Sequence, residues 1–420
     1  MITTVTNPLT KDTLYTFTHQ SGLPVVVWPM EHATSAYALF ATRYGSVHNT
    51  LPTPDGKGET VPAGIAHYLE HKLFESEEGD AFQRFAATGA SANAYTGFCR
   101  TAYLFHATEN ILPSLEILLD FVQHPYFTAE TVQKEQGIIG QEIRMCEDNP
   151  GRRVFLNLLQ GMYHTHPVRI DIAGTVESIS HITPDLLYRC YEQYYNLHNM
   201  VLVVAGNITA EQVEDACDRL LKAAAPYTPS PVTTEEPEGV VQPLIETKMP
   251  VAAPLFYLGY KEPAPADRTP LELAASRIIP VLLVGKGSPL YTELMEQGLI
   301  NNDFGAEYFY GPGFGVWLFA GESAYPERVE AAITAEIRRL QKEGIDPAAF
   351  EAAKRGAYGR FVRGLDSPED GAETLLDNLL DGVPLLSEPE AIASLTRAQL
   401  HRQLCERIRA DNHTLSIVRP

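Results

Sequence analysis

The sequence predicts an α+β fold of two homologous domains, each a mostly antiparallel sheet packed against helices. Three observations predict it. Short apolar runs with strand character alternate with helical periodicity; the periodicity stops across residues 223–243, where Pro, Thr, Ser, Glu and Gly dominate; and the same order of elements returns afterwards. A length of 420 residues with 45% hydrophobic content is enough for one or two full cores. The expected division is a first domain over 1–225, a linker over 226–243 and a second domain over 244–420.

Along the first half the pattern predicts strands at 25–28 and 37–44, a helix over about 62–75, strands at 91–96 and 102–107, and then several helices. A strand at 201–205 and a helix over about 210–221 close that half. After the linker come a strand at 255–260, helices from about 270, paired strands at 304–310 and 316–321, further helices and a last strand at 414–418. A weak repeat supports the duplication: residues 126–130, ahead of the helix with Glu135 and Gly137, match residues 345–349, ahead of Lys354 and Gly356.

Composition narrows the function. Lys and Arg total 32 against 53 Asp and Glu, a formal net charge of -21, the wrong sign for neutralising phosphates. Nucleic acid and anionic membrane are therefore not expected partners. The longest apolar runs, such as 279–284 and 201–205, fall far short of the roughly 20 residues that span a bilayer. Residues 1–11 lack the basic and apolar regions of a secretory leader, so a cytoplasmic location is expected. The five cysteines are scattered and odd in number, as for reduced structural thiols rather than a disulfide framework or zinc knuckle. Gly-rich stretches at 285–288 and 311–315 lack phosphate-loop spacing and read as turns.

The segment His67-Tyr68-Leu69-Glu70-His71 stands out. At about 100° per residue, His67, Glu70 and His71 share one stripe of a helix while Ile65, Leu69 and Leu73 form a separate apolar stripe. Histidines at i and i+4 can chelate one zinc ion through neutral ring nitrogens, with the intervening glutamate beside the water, in the inverted H-x-x-E-H order. A catalytic zinc needs a third protein ligand. The stretch 135–142 carries Glu135 and Glu142 seven residues apart, hence about 20° apart on one helix face. One of the two can reach the metal while the other stands behind it as an orienting partner.

With these residues in place, the chain resembles the pitrilysin/insulinase family of zinc metallopeptidases. The matching residues are the run 64–75 around the motif, the strand Ser91-Ala92-Asn93-Ala94-Tyr95-Thr96, the Glu135 and Glu142 pair, and His166-Pro167 followed by Gly174-Thr175. The resemblance implies His67, His71 and Glu142 as zinc ligands, Glu70 as general base and Glu135 as a supporting residue. It also implies that Asn93, Ala94 and Tyr95 lie on a strand that pairs with an extended substrate, binding varied sequences through main-chain hydrogen bonds. It makes 420 residues the size of half a clamshell.

The second half departs from the first. The positions matching Glu135 and Glu142 are Lys354 and Phe361, and no H-x-x-E-H follows the linker, so the second domain is expected to hold substrate and structure only. Family members active alone or as homodimers carry an Arg and, seven residues later, a Tyr; here those positions read Leu294 and Asn301. Tyr308 or Tyr310 could substitute, although most such tyrosines pack. The sequence most resembles the zinc-bearing subunit of short bacterial heterodimers, in which a homologous subunit supplies the Arg and Tyr; a homodimer fits less well. The expected activity is cleavage of short or leader-type peptides, with the acidic balance hinting at basic ones; the competing reading is a scaffold subunit of the same fold without turnover.

Overall fold

The two sheets follow one strand order. In the computed structural model, which describes residues 1–7, 11–30, 32–53, 58–77, 79–226, 235–263 and 268–420, the strands are as follows in chain order. They are β1 (Thr3–Thr6), β2 (Thr13–Thr18), β3 (Pro24–Pro29), β4 (Ala36–Thr42), the ribbons β5–β6 (Thr50–Leu51, Glu59–Thr60) and β7–β8 (Glu75–Ser76, Gly79–Asp80), β9 (Ser91–Thr96), β10 (Thr101–Ala107), β11 (Met200–Gly206), β12 (Leu244–Lys248), β13 (Leu255–Lys261), β14 (Gly305–Gly311), β15 (Phe314–Glu322) and β16 (His413–Arg419). The first sheet runs β1-β2-β3-β11-β4-β10-β9 and the second β12-β16-β13-β15-β14. Taking β3 onward, each sheet places its strands as first, last, second, fourth, third. In each, the first and last strands are the parallel pair and the remaining pairs are antiparallel. The shared topology is the structural form of the duplication that the weak sequence repeat predicts.

The chain divides into two compact units that do not follow its order. One comprises Met1–Ile143, Asp171–Val232 and Val362–Ser387; the other comprises Arg144–Ile170, Thr233–Phe361 and Glu388–Pro420. Each half of the sequence thus contributes a helix to the unit built mainly by the other, a division that the expected boundaries at 225 and 244 do not describe. Of the expected linker, residues 227–234 lie outside the described residues.

In the first unit, helices Ile65–Leu73, Ala81–Thr88, Ile111–Phe121, Pro184–Tyr194 and Ala210–Leu220 supply the core beneath one face of the sheet, against Val25, Val27, Phe40, Tyr103, Phe105, Leu202 and Val204. Helix Pro368–Asp381 packs against β4 and β11. Its Gly371 sits on Trp28, where a Cβ would come within 2.7 Å of the indole. With helices on both faces, β4 and β11 are buried along their whole length, which is why both read as unbroken apolar runs. In the second unit, helix Pro150–Met162 packs on β12, β13 and β16 in the same way.

The strands missing from the sequence reading are β1, β2, β12 and the two ribbons. Both β1 and β12 are sheet edges with alternating or largely open burial, so their apolar signal is weak. Among the described residues no single helix is long and apolar enough to cross a membrane.

Candidate metal centre

The motif helix, Ile65–Leu73, buries Ile65, Ala66, Tyr68, Leu69, Glu70, Lys72 and Leu73 and leaves His67 and His71 half-buried. Its start is fixed by close backbone contact. Gly64 has φ of +94°, and a Cβ there would lie 2.4 Å from the Ala173 carbonyl oxygen. Only glycine meets both demands without strain. The Ser178 hydroxyl donates to the Ala63 carbonyl at 2.8 Å, so the turn with Gly174-Thr175 seats the entry to the motif helix.

The second helix, Ala129–Glu147, carries Glu135 and Glu142. Two bonds pin its first half to neighbours. The Tyr68 hydroxyl donates to the Val132 carbonyl, and the Gln136 side chain donates to the Ile179 carbonyl at 3.1 Å. Tyr68, fully buried between His67 and Glu70, thereby sets the distance from the histidine helix to the glutamate helix.

The structure brings together all five residues expected at the metal. His67 Nε2 lies 3.5 Å from Glu142 Oε1, and His71 Nε2 lies 3.5 Å from Glu142 Oε2. The three ligand atoms fall within 4.8 Å of one another. Two donors each about 2.1 Å from a tetrahedral ion stand about 3.4 Å apart. The nitrogen and oxygen separations match that edge, and two imidazoles plus one carboxylate are a donor set suited to zinc. The alternative left open by spacing is also resolved: Glu142 faces both histidines, whereas Glu135 Oε1 accepts from His71 Nδ1 at 3.0 Å. That bond places the His71 proton on Nδ1 and leaves the Nε2 lone pair for a metal.

The electrostatics follow from these contacts. Burial works to raise the carboxyl pKa of Glu135, but His71, Lys72 and Lys134 hold it below the usual range. Burial pushes the His71 imidazole down, yet its bond to Glu135 and the charges of Glu70 and Glu142 carry it above its ordinary value. Glu70 is raised, first by burial and further by the nearby negative charge of Glu142, against the opposing pull of His71 and a hydrogen bond from Thr96. The Thr96 hydroxyl stands 3.0 Å from Glu70 Oε2.

Beside this cluster lies a groove of about 780 Å³, within the size range of ligand clefts. It is lined by Glu70, His71 and Glu135 on one side, by Asn93 and Ala94 on another, and by Phe82 and Ile138. Among the described residues, strand β9 is an edge of its sheet, at the opposite side from β1. The Ala94 amide, directed away from β10, donates to the Asn93 side-chain oxygen at 2.9 Å, so a side chain stands where a further strand's carbonyl would be. Tyr95 is placed differently. Alternation along the strand puts it on the face opposite Ala94 and Thr96, and its hydroxyl donates to Glu373 of helix Pro368–Asp381 at 2.8 Å. Arg100 pairs with Asp377 of that helix, which fixes the hairpin β9–β10 from behind.

Sequence reasoning missed three of these residues: Thr96, Tyr68 and Glu373. Period-two alternation from Ala94 is the signal that could have found Thr96, which shares its face of the strand; nothing local in sequence pointed to Glu373, some 278 positions from its tyrosine. His166 is a structural residue. It is fully buried, its Nδ1 accepts from the Val168 amide at 3.1 Å, and its Nε2 lies 2.9 Å from the Pro312 carbonyl oxygen.

Comparison with known proteins places the chain among zinc protease relatives and their fold. Residues 59–176 match the family model described as Insulinase (Peptidase family M16), and residues 181–357 match the model described as Peptidase M16 inactive domain. The chain is 40% identical over 420 residues to the uncharacterized zinc protease YmfH of Bacillus subtilis (strain 168), covering 98% of this chain and 97% of that one. Among solved structures it resembles a putative M16-like peptidase from Alicyclobacillus acidocaldarius, with a TM-score of 0.92, 36% identity and coverage of 100% and 98% of the two chains. A protease from Helicobacter pylori, at 21% identity and a TM-score of 0.81 over 100% of this chain and 99% of the other, shares the fold.

Proposed function

The chain belongs to the pitrilysin/insulinase family of peptidases, and we propose that it is a zinc endopeptidase of short or leader-type peptides, with His67, His71 and Glu142 holding the metal. The observation that carries this reading is the spacing of those three ligand atoms beside the buried carboxylate of Glu70 and a free strand edge. Zinc, when bound, supplies Lewis-acid polarisation of the scissile carbonyl and acidifies the attacking water. Glu70 takes the proton of that water and passes it to the leaving amine. A carboxyl pKa raised by burial suits a group that must both accept and release a proton. Glu135 fixes the ring of His71, and the free edge at Ala94 pairs with the extended peptide in place of the Asn93 side chain.

The partner in this proposal is a homologous subunit that closes a chamber over the site and brings an Arg and a Tyr. Leu294 is 1% exposed, part of a hydrophobic core, and the Asn301 side chain donates to Glu322 at 3.2 Å, so neither offers what the Arg and Tyr supply in self-sufficient relatives. The tyrosines nearby are engaged: the Tyr308 hydroxyl donates to Glu262 at 2.6 Å, and the Tyr310 hydroxyl accepts from Arg277 at 3.1 Å. Loss of one oxyanion donor costs about 2.7–4 kcal/mol of barrier, which favours a heterodimer over a homodimer. The intact donor set argues against a silent scaffold.

Peptide hydrolysis by the chain mixed with its homologous subunit, measured with zinc content, tests the reading. Glu70→Gln should keep its zinc and lose about 10²–10⁴-fold in rate, the usual worth of a general base, while His71→Ala should lose both. Unchanged turnover in Glu70→Gln removes Glu70 from the mechanism.

A further inference from the structure

We infer that Thr96 is a positioning residue for Glu70, fixing which carboxylate oxygen faces the reacting water; the inference rests on the peptidase reading above. A carboxylate has only acceptor sites, so the hydroxyl of Thr96 is the donor in its 3.0 Å contact with Glu70 Oε2. Glu70 is 8% exposed, so solvent does little to orient its carboxylate. The terminal torsion of a glutamate is broad and roughly two-fold. A hydrogen bond from a fixed donor is therefore what selects one orientation.

The donor itself is held firmly. Thr96 ends the edge strand β9, and its β-branched side chain has restricted rotation. Directly opposite in register stands Thr101 of β10, fully buried, whose hydroxyl donates to the Tyr44 carbonyl at 2.8 Å and lies 3.5 Å from the Thr96 hydroxyl. Behind the hairpin, Glu373 and Asp377 hold Tyr95 and Arg100. With Oε2 committed to Thr96, Oε1 is left as the oxygen that takes the proton from water. The same strand presents Ala94 to the groove two residues earlier, so one rigid element sets both the line of the peptide and the aim of the base.

Thr96→Val, nearly isosteric and well suited to a strand, removes only the hydroxyl, and Thr96→Ser restores it. With the zinc-loaded chain and its homologous subunit, Thr96→Val should lower kcat by about 10- to 100-fold, the usual cost of losing such an orienting partner, with KM and zinc content unchanged. Thr96→Ser should recover most of that loss. Crystal structures of the zinc-loaded chains should show one Glu70 carboxylate orientation in the wild type and Thr96→Ser and more than one in Thr96→Val. Wild-type kcat in Thr96→Val, a loss confined to KM, or a Thr96→Ser variant as impaired as Thr96→Val overturns the inference. If the wild-type mixture cleaves no peptide, the peptidase reading fails on its own, and an unaltered Glu70 in the Thr96→Val crystal overturns the positioning role separately.

Discussion

At the residue scale the site is a set of competing demands on a few protons. His71 must be neutral at Nε2 to bind metal, yet its partner Glu135 raises its pKa against the effect of burial. Protons therefore compete with zinc as pH falls through that raised value. Glu135→Gln removes the negative charge, so the imidazole pKa drops and the pH midpoint of zinc uptake moves lower. Affinity at high pH falls as well, by about 10- to 100-fold, because the amide oxygen that still accepts from Nδ1 no longer carries the charge that raises the basicity of the ring. Zinc titration against a chromophoric chelator across pH measures both effects; an unmoved midpoint would show that Glu135 does not control the proton on His71. Elsewhere the chain uses the same chemistry structurally. Lys354, at the position matching Glu135 in the second half, donates its ammonium to the carbonyls of Ala393 and Leu395 at 2.7 and 3.0 Å and so ties down the end of helix Glu388–Ser394.

At the element scale, two helices and one hairpin meet at the site, and two hydrogen bonds, from Tyr68 and Gln136, hold the glutamate helix in place. Tyr68→Phe removes the bond to the Val132 carbonyl while keeping the buried ring. It should cost about 1 kcal/mol of stability, and zinc affinity should fall by about 10-fold as the glutamate helix loses its stop, read by thermal unfolding and the same titration. Wild-type affinity would mean that packing alone sets the helix spacing. Much of this was legible beforehand. Strands β3, β4, β9, β10, β11 and β13 to β16 lie where the apolar runs put them, and the spacing of His67, Glu70 and His71 placed all three on one helix. Long-range partners were not legible. Helix spacing alone leaves open which of Glu135 and Glu142 faces the histidines, and it is the resemblance that names Glu142; the choice depends on the roll of a helix that Tyr68 and Gln136 hold through bonds to Val132 and Ile179.

At the scale of the whole molecule, duplication explains both what the halves share and how they differ. From β3 onward the first sheet has the strand order of the second and a parallel pair in the same place, and each sheet is covered by a helix from the other half of the sequence. Helix Pro368–Asp381 is continuous with the second half in sequence but buries Trp28 in the first unit, so a boundary drawn by composition alone separates residues that one core needs. Divergence has left the second copy with Lys354 and Phe361 where the first has Glu135 and Glu142, and among the described residues the one cluster of ligand-bearing side chains lies in the first unit. Zinc per chain therefore tests the central claim most directly. Elemental analysis of the purified chain should find one zinc, retained in Glu70→Gln and lost in His71→Ala and Glu142→Ala. A chain that holds no zinc, or one whose zinc survives both ligand substitutions, would contradict the account.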